Sequence, residues 1–109
     1  MSALYLMRYQ GVAWMGLGAI YVGKGKVLGI DVTGARYDGA YTSQGTTISG
    51  TAVLTPTSGT LVTGQLVTPG SKVPIAFTLP ADLGDGQFQT VMVGGRPVQV
   101  AFDKIGDIP

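Results

Sequence analysis

Few side chains in this chain can do chemistry. It has no His and no Cys, and all six of its acidic residues are Asp. A Ser–His–Asp or Cys–His arrangement is therefore impossible, and so is a zinc site built on thiolate or imidazole. A Ser–Lys nucleophile needs S-x-x-K spacing, which does not occur. Asp31 and Asp38 could act as a carboxylate pair, or could simply be polar punctuation at strand ends. Asp82 and Asp85, in ADLGDG, are the nearest approach to the clustered carboxylates that calcium needs. The alternative is a solvated turn using Asp and Gly for their backbone preferences. The run from Gly18 to Lys24 matches G-x-x-x-x-G-K, but Gly25 follows where Ser or Thr is required. Its inner residues are strand formers and no helix follows, so the phosphate-cradling context is missing. These residues argue against an enzyme and imply no cofactor and no metal.

What remains suits binding. Met7, Met15 and Met92, with Tyr5 and Tyr21, could line a plastic lipophilic pocket or could be core filler. Tyr37 and Tyr41 fall on one face of a strand. They could form a ligand mouth, an interface or ordinary packing. Next to them the Ser43-Gln44-Gly45 turn is short and uncharged. Loops on a rigid scaffold often carry specificity, so Tyr37, Tyr41, Ser43 and Gln44 form a candidate protein-interaction surface.

The elements that must position these residues are strands. Twelve Thr, twelve Val and eighteen Gly, with no Glu to favour helices, point to an all-β chain. Alternation and turn residues mark about nine strands: 4–10, 14–22, 26–32, 36–42, 46–55, 60–68, 72–79, 87–93 and 97–104. The segment 80–86, PADLGDG, could hold one helical turn. Gly16, Gly18, Gly29, Gly39, Gly50 and Gly64 fall inside strands, where glycine marks sharp bends or close backbone approach. Such bends close a small barrel. The expected fold is a small closed antiparallel barrel of about eight or nine strands, lipocalin-like, with 1–109 as one domain.

Faces sort cleanly in the later strands. Ile48, Ala52 and Leu54, then Val73, Ile75, Phe77 and Leu79, then Val98, Val100 and Phe102 should point inward. The first two strands are apolar on both faces, which implies burial on both. One face would be barrel core and the other a partner chain, so a homodimer is expected. Only 12% of residues are charged and the mean hydropathy is +0.33, which fits spare apolar surface at an interface. A net charge of +1 is too small for electrostatic binding of nucleic acid, unless Lys24 and Lys26 form a local patch. The longest apolar run, 12–22, is short of a membrane helix. With no signal-peptide pattern in the first residues, the expected location is cytoplasmic, without membrane attachment.

One stretch is more specific. Residues 16–39 read GLGAIYVGKGKVLGIDVTGARYDG. The skeleton is Gly-x-Gly, a strand, a Gly-Lys-Gly turn, then Gly-x-Asp at Asp31 and Tyr-x-Gly at Tyr37. Tyr5 precedes it and VQVAFDKI lies near the end. This pattern resembles the Grl-type negative regulators of type III secretion genes, which are small lipocalin-like β-barrels. The resemblance implies an eight-stranded barrel, a homodimer, and repression by binding a DNA-binding activator protein rather than DNA. In that family an acidic loop after the Tyr-x-Gly strand contributes to the contact. The matching segment here, TSQGTT at 42–47, carries no acid. Two function classes stand: a protein-interaction or regulatory module, and a barrel for a small lipophilic ligand.

Overall fold

The computed structural model describes residues 2–109. They form eight strands: β1 (Ser2–Gln10), β2 (Met15–Gly23), β3 (Lys26–Asp31), β4 (Arg36–Gln44), β5 (Thr47–Thr55), β6 (Val73–Pro80), β7 (Gln89–Val93) and β8 (Arg96–Asp107). Each pairs antiparallel with its sequence neighbour, and β8 returns to β1, closing the barrel. Among the described residues there is no helix. The closed antiparallel barrel agrees with the expected fold class.

Inward faces follow the alternation. Ile48, Ala52 and Leu54 on β5, Val73, Ile75 and Leu79 on β6, and Val98, Val100 and Phe102 on β8 are buried. Phe77 packs partly buried against them. In β1 the inward set is Ala3, Tyr5, Met7 and Tyr9, and in β2 it includes Ile20 and Val22. The β2–β3 hairpin turns on Lys24 and Gly25, both at positive φ. That is the two-residue turn whose twist matches the flanking strands. Gly50 is a bending point of the kind expected. A Cβ built there would meet the Ala40 carbonyl oxygen at 2.0 Å, so only glycine lets β4 and β5 coil this tightly. Gly64 instead sits in a turn at positive φ, outside any strand.

The segment 60–68 is not a strand. It belongs to the connection 56–72, which folds over one end of the barrel as a strap. Its internal pairing is one bridge, Thr60 to Leu66. Leu61, Val62 and Thr63 are buried consecutively, which strand alternation forbids. The apolar run expected as a strand instead closes one end of the lumen with Leu61 and Val62. The Ala13 amide donates to the Val62 carbonyl at 2.9 Å, and Thr57 Oγ1 donates to the Thr33 carbonyl at 2.6 Å.

The segment 81–88 is irregular rather than helical, with a turn at Leu83 and Gly84. β6 and β7 pair only at Ile75–Val93 and Ala76–Met92. The segment fills the resulting gap beside β8, with Asp85 bridged to Asp103 and Gly86 N–H donating to the Phe102 carbonyl. Arg8 clamps it from outside. Its Nε donates to Asp103 at 3.0 Å, its Nη2 donates to the Gly86 carbonyl, and its guanidinium lies 5.4 Å from the Phe88 ring centre. Leu83 from this segment is buried inside.

Candidate functional site

Two features stand out from the barrel: a polar cluster inside the strap end of the lumen, and an apolar outer face.

The cluster is centred on Asp31, the last residue of β3, which is only 8% exposed. Tyr37 OH donates to Asp31 Oδ2 at 2.7 Å, and Tyr9 OH donates to the same oxygen at 3.0 Å. Oδ1 accepts the Thr33 hydroxyl, the Thr33 amide at 2.9 Å and the Ala35 amide at 3.2 Å. This is an Asx-type turn tying β3 to β4, with two phenols added from the barrel wall. Burial pushes both phenols well above the ordinary tyrosine range, and the Asp31 carboxylate adds to the effect. Tyr9 fits because Gly16 opposes it on β2; a Cβ there would come within 2.3 Å of the ring.

The free volume inside the lumen is about 110 Å³. Tyr9, Trp14, Asp31 and Tyr37 border it at the strap end, with Leu61 from the strap, and Leu79, Leu83 and Phe102 border it further down. The rest of the interior is filled by the protein's own side chains.

Of the expected site residues, Tyr5 and Met7 point inward and are buried, and Met7 borders the free volume. Met15, at 72% exposure, and Met92 face outward, and Tyr21 faces outward with its hydroxyl on Ser2 Oγ at 3.0 Å. These three cannot line an internal pocket, because Ile20 and Val22 set the inward parity of β2, and Val91 and Val93 that of β7. Tyr37 is buried, so it is not part of a surface around the 43–45 turn. It sits seven residues up the strand from Gln44, roughly 20 Å away. Tyr41 faces inward, half-buried against the core. Ser43 and Gln44 are exposed at the end opposite the strap. Asp31 and Asp38 do not form a pair: Asp31 faces the lumen and Asp38 faces solvent. Asp85 caps its own turn by accepting from the Gln87 amide. Among the described residues no group of three or more carboxylates could hold a metal ion.

The outer face of β1–β3 is apolar through its middle, with Arg8 opposite Leu17 toward the strap end and Lys26 at the other end. Register places Leu6, Ala19 and Ile30 in one row and Leu4, Tyr21 and Leu28 in the next. Leu17 and Val32 extend the patch toward the strap end, linked by the Val32 amide to the Leu17 carbonyl. Leu28 and Ile30 are 47% and 52% exposed. Beside them on β4 stand Asp38, opposite Leu28, and Arg36, opposite Ile30. A shallow depression lies among these four side chains. By contrast β4 and β5 present Arg36, Asp38, Thr42, Ser49 and Thr51 outward, while Leu66, Phe88, Met92 and Ile105 are exposed outside β1–β3.

Sequence reading missed Tyr9, Trp14 and the strap. Tyr9 shares its parity with Tyr5 and Met7, and Asp-x-Thr-Gly at 31–34 is an Asx-turn signal. Together they could have located the cluster. Compared with known protein families, curated proteins and solved structures, the chain matches none.

Proposed function

We propose that this chain is a non-enzymatic interaction module: a barrel that pairs with a second copy through the outer face of β1–β3, and as a dimer engages a regulatory protein. The observation that carries it is the apolar sector Leu6, Leu17, Leu28 and Ile30, left in water on a rigid sheet. Patches of this kind mark interaction sites. A second copy fits because Arg36 and Asp38 flank the patch side by side. A two-fold axis can match each with its opposite in the partner, as a self-complementary interface requires. The regulatory half of the reading rests on the resemblance of residues 16–39 to the Grl-type regulators. The exposed Ser43 and Gln44, at the end opposite the strap, offer a contact for such a partner.

The lumen weighs against a carrier of lipophilic molecules. Sites for such ligands run to ~300 Å³ or more, and about 110 Å³ is free here.

The chain has no cysteine, which gives a clean test. A Leu28→Cys variant should form a disulfide-linked dimer under mild oxidation, while Thr51→Cys on the polar outer face should not. Equal cross-linking at both positions would reject the face. For the regulatory half, tagged wild-type protein and a Ser43→Ala, Gln44→Ala variant serve as baits. Recovery of a transcriptional activator by the wild type alone supports it, and its absence from both rejects it.

A further inference from the structure

The lumen holds an acidic group that no basic side chain answers. Asp31 is buried, and none of the residues bordering the free volume is Lys or Arg. The ion pairs among the described residues, Arg8–Asp103 and Lys104–Asp107, involve other carboxylates. Five donors occupy the lone pairs of Asp31. Neutral donors disperse a charge but do not cancel it, and a buried charge gains most from an opposite one. The same free volume is bordered at the strap end by the aromatic side chains of Tyr9, Trp14 and Tyr37, with Phe77 and Phe102 also among its lining residues. Ring faces attract cations, above all where water is excluded.

Each feature narrows the ligand. The carboxylate and the rings call for a positive charge. Because the lone pairs of Asp31 are already taken, an ammonium or alkylammonium would enter with N–H donors left unpaired, which is costly in a buried site. A quaternary ammonium has no N–H to satisfy. The whole free volume of the lumen, about 110 Å³, is shared between the strap end and the part further down, so it suits a compact head group and excludes a long chain. The geometry points to a site for a quaternary ammonium group at the strap end of the lumen, held by the charge of Asp31 and the rings of Tyr9, Trp14 and Tyr37. The strap lies over this end, fastened by the bonds from Ala13 to Val62 and from Thr57 to Thr33.

Trp14 is the only tryptophan, so its fluorescence reports on the site. The probe is tetramethylammonium chloride, titrated at constant ionic strength against sodium chloride. A saturable change is expected, at least tenfold weaker with the neutral isostere tert-butyl alcohol and with ammonium chloride. Asp31→Asn keeps an acceptor for the Thr33 and Ala35 donors and removes the charge; it should weaken binding at least tenfold. Trp14→Leu, followed by NMR shifts, should weaken it severalfold and covers the case in which Asp31→Asn does not fold. A change that fails to saturate, equal binding of the neutral isostere, or unaltered affinity in a folded variant overturns the proposal.

Discussion

The Tyr37 hydroxyl donates to Asp31 Oδ2 at 2.7 Å from the strand that follows it. Tyr9 reaches the same oxygen from β1, so one carboxylate joins three strands of the wall at the end that the strap covers. The turn residues Thr33 and Ala35 hold its other oxygen. Asp31 is thus a tie between turn, wall and lumen.

Removing that tie should be expensive. Asp31→Ala leaves two phenols, the Thr33 hydroxyl and two backbone amides without their acceptor and should cost about 3–5 kcal/mol of stability. Asp31→Asn should cost less, since its amide oxygen still accepts from the turn. Urea denaturation of both variants measures the difference. Equal, small losses would show that the hydrogen bonds contribute little.

Alkaline pH should loosen the barrel through the same residues. Tyr9 and Tyr37 have their folded values raised above the ordinary 10.0 by burial, reinforced by Asp31. A raised value means stability fully present below ~pH 10 and lost as pH rises toward the folded values, because the unfolded chain releases those protons first. Thermal midpoints should be insensitive to these phenols from pH 7 to about 9 and then fall. The double variant Tyr9→Phe, Tyr37→Phe should fall less steeply. Phenolate absorbance should show these two tyrosines titrating only as the protein unfolds.

Gly50 should tolerate no side chain. A Cβ at 2.0 Å from the Ala40 carbonyl oxygen must push β4 and β5 apart, so Gly50→Ala should destabilise by about 1–3 kcal/mol. The neighbouring outward change Thr51→Ala should fall within about 0.5 kcal/mol of wild type. Denaturation midpoints of the pair check this.

Much of this arrangement is legible in the residues, and the exceptions have physical causes. Strands β5, β6 and β8 alternate apolar with polar, so their inward faces can be read directly. β1 and β2 cannot be sorted that way, because Leu4, Leu6 and Leu17 are as apolar as Tyr5, Met7 and Ile20. Parity there is set by the partner strands, which is why Met15 and Tyr21 point out and Tyr9 in. The run from Leu61 to Val67 has strand composition, but a barrel of this size needs a plug at its mouth, and apolar residues serve either purpose. Asp31 is visible as a turn residue; that Tyr9 and Tyr37 converge on it depends on the registers of the β1–β2, β2–β3 and β3–β4 pairs together, with Gly16 and Gly18 leaving room between them.

The strap should behave as the barrel's own lumen filler. Leu61 is buried against the core, so Leu61→Ala should cost about 2–5 kcal/mol. It should also raise binding of an apolar fluorescent dye over wild type, because the vacated space adjoins the lumen. A stable variant with unchanged dye binding would mean the strap contributes little to closing the barrel.

The pairing of two copies through β1–β3 is the centre of the account, and sedimentation equilibrium tests it most directly. Wild-type protein at micromolar concentration should sediment at twice the 11.2 kDa chain mass. A folded Leu28→Asp, Ile30→Lys variant, with two charges placed in the apolar face, should sediment at the mass of one chain. A wild type that stays at one chain mass across the concentration range, or a charged variant that still sediments as a dimer, would contradict it.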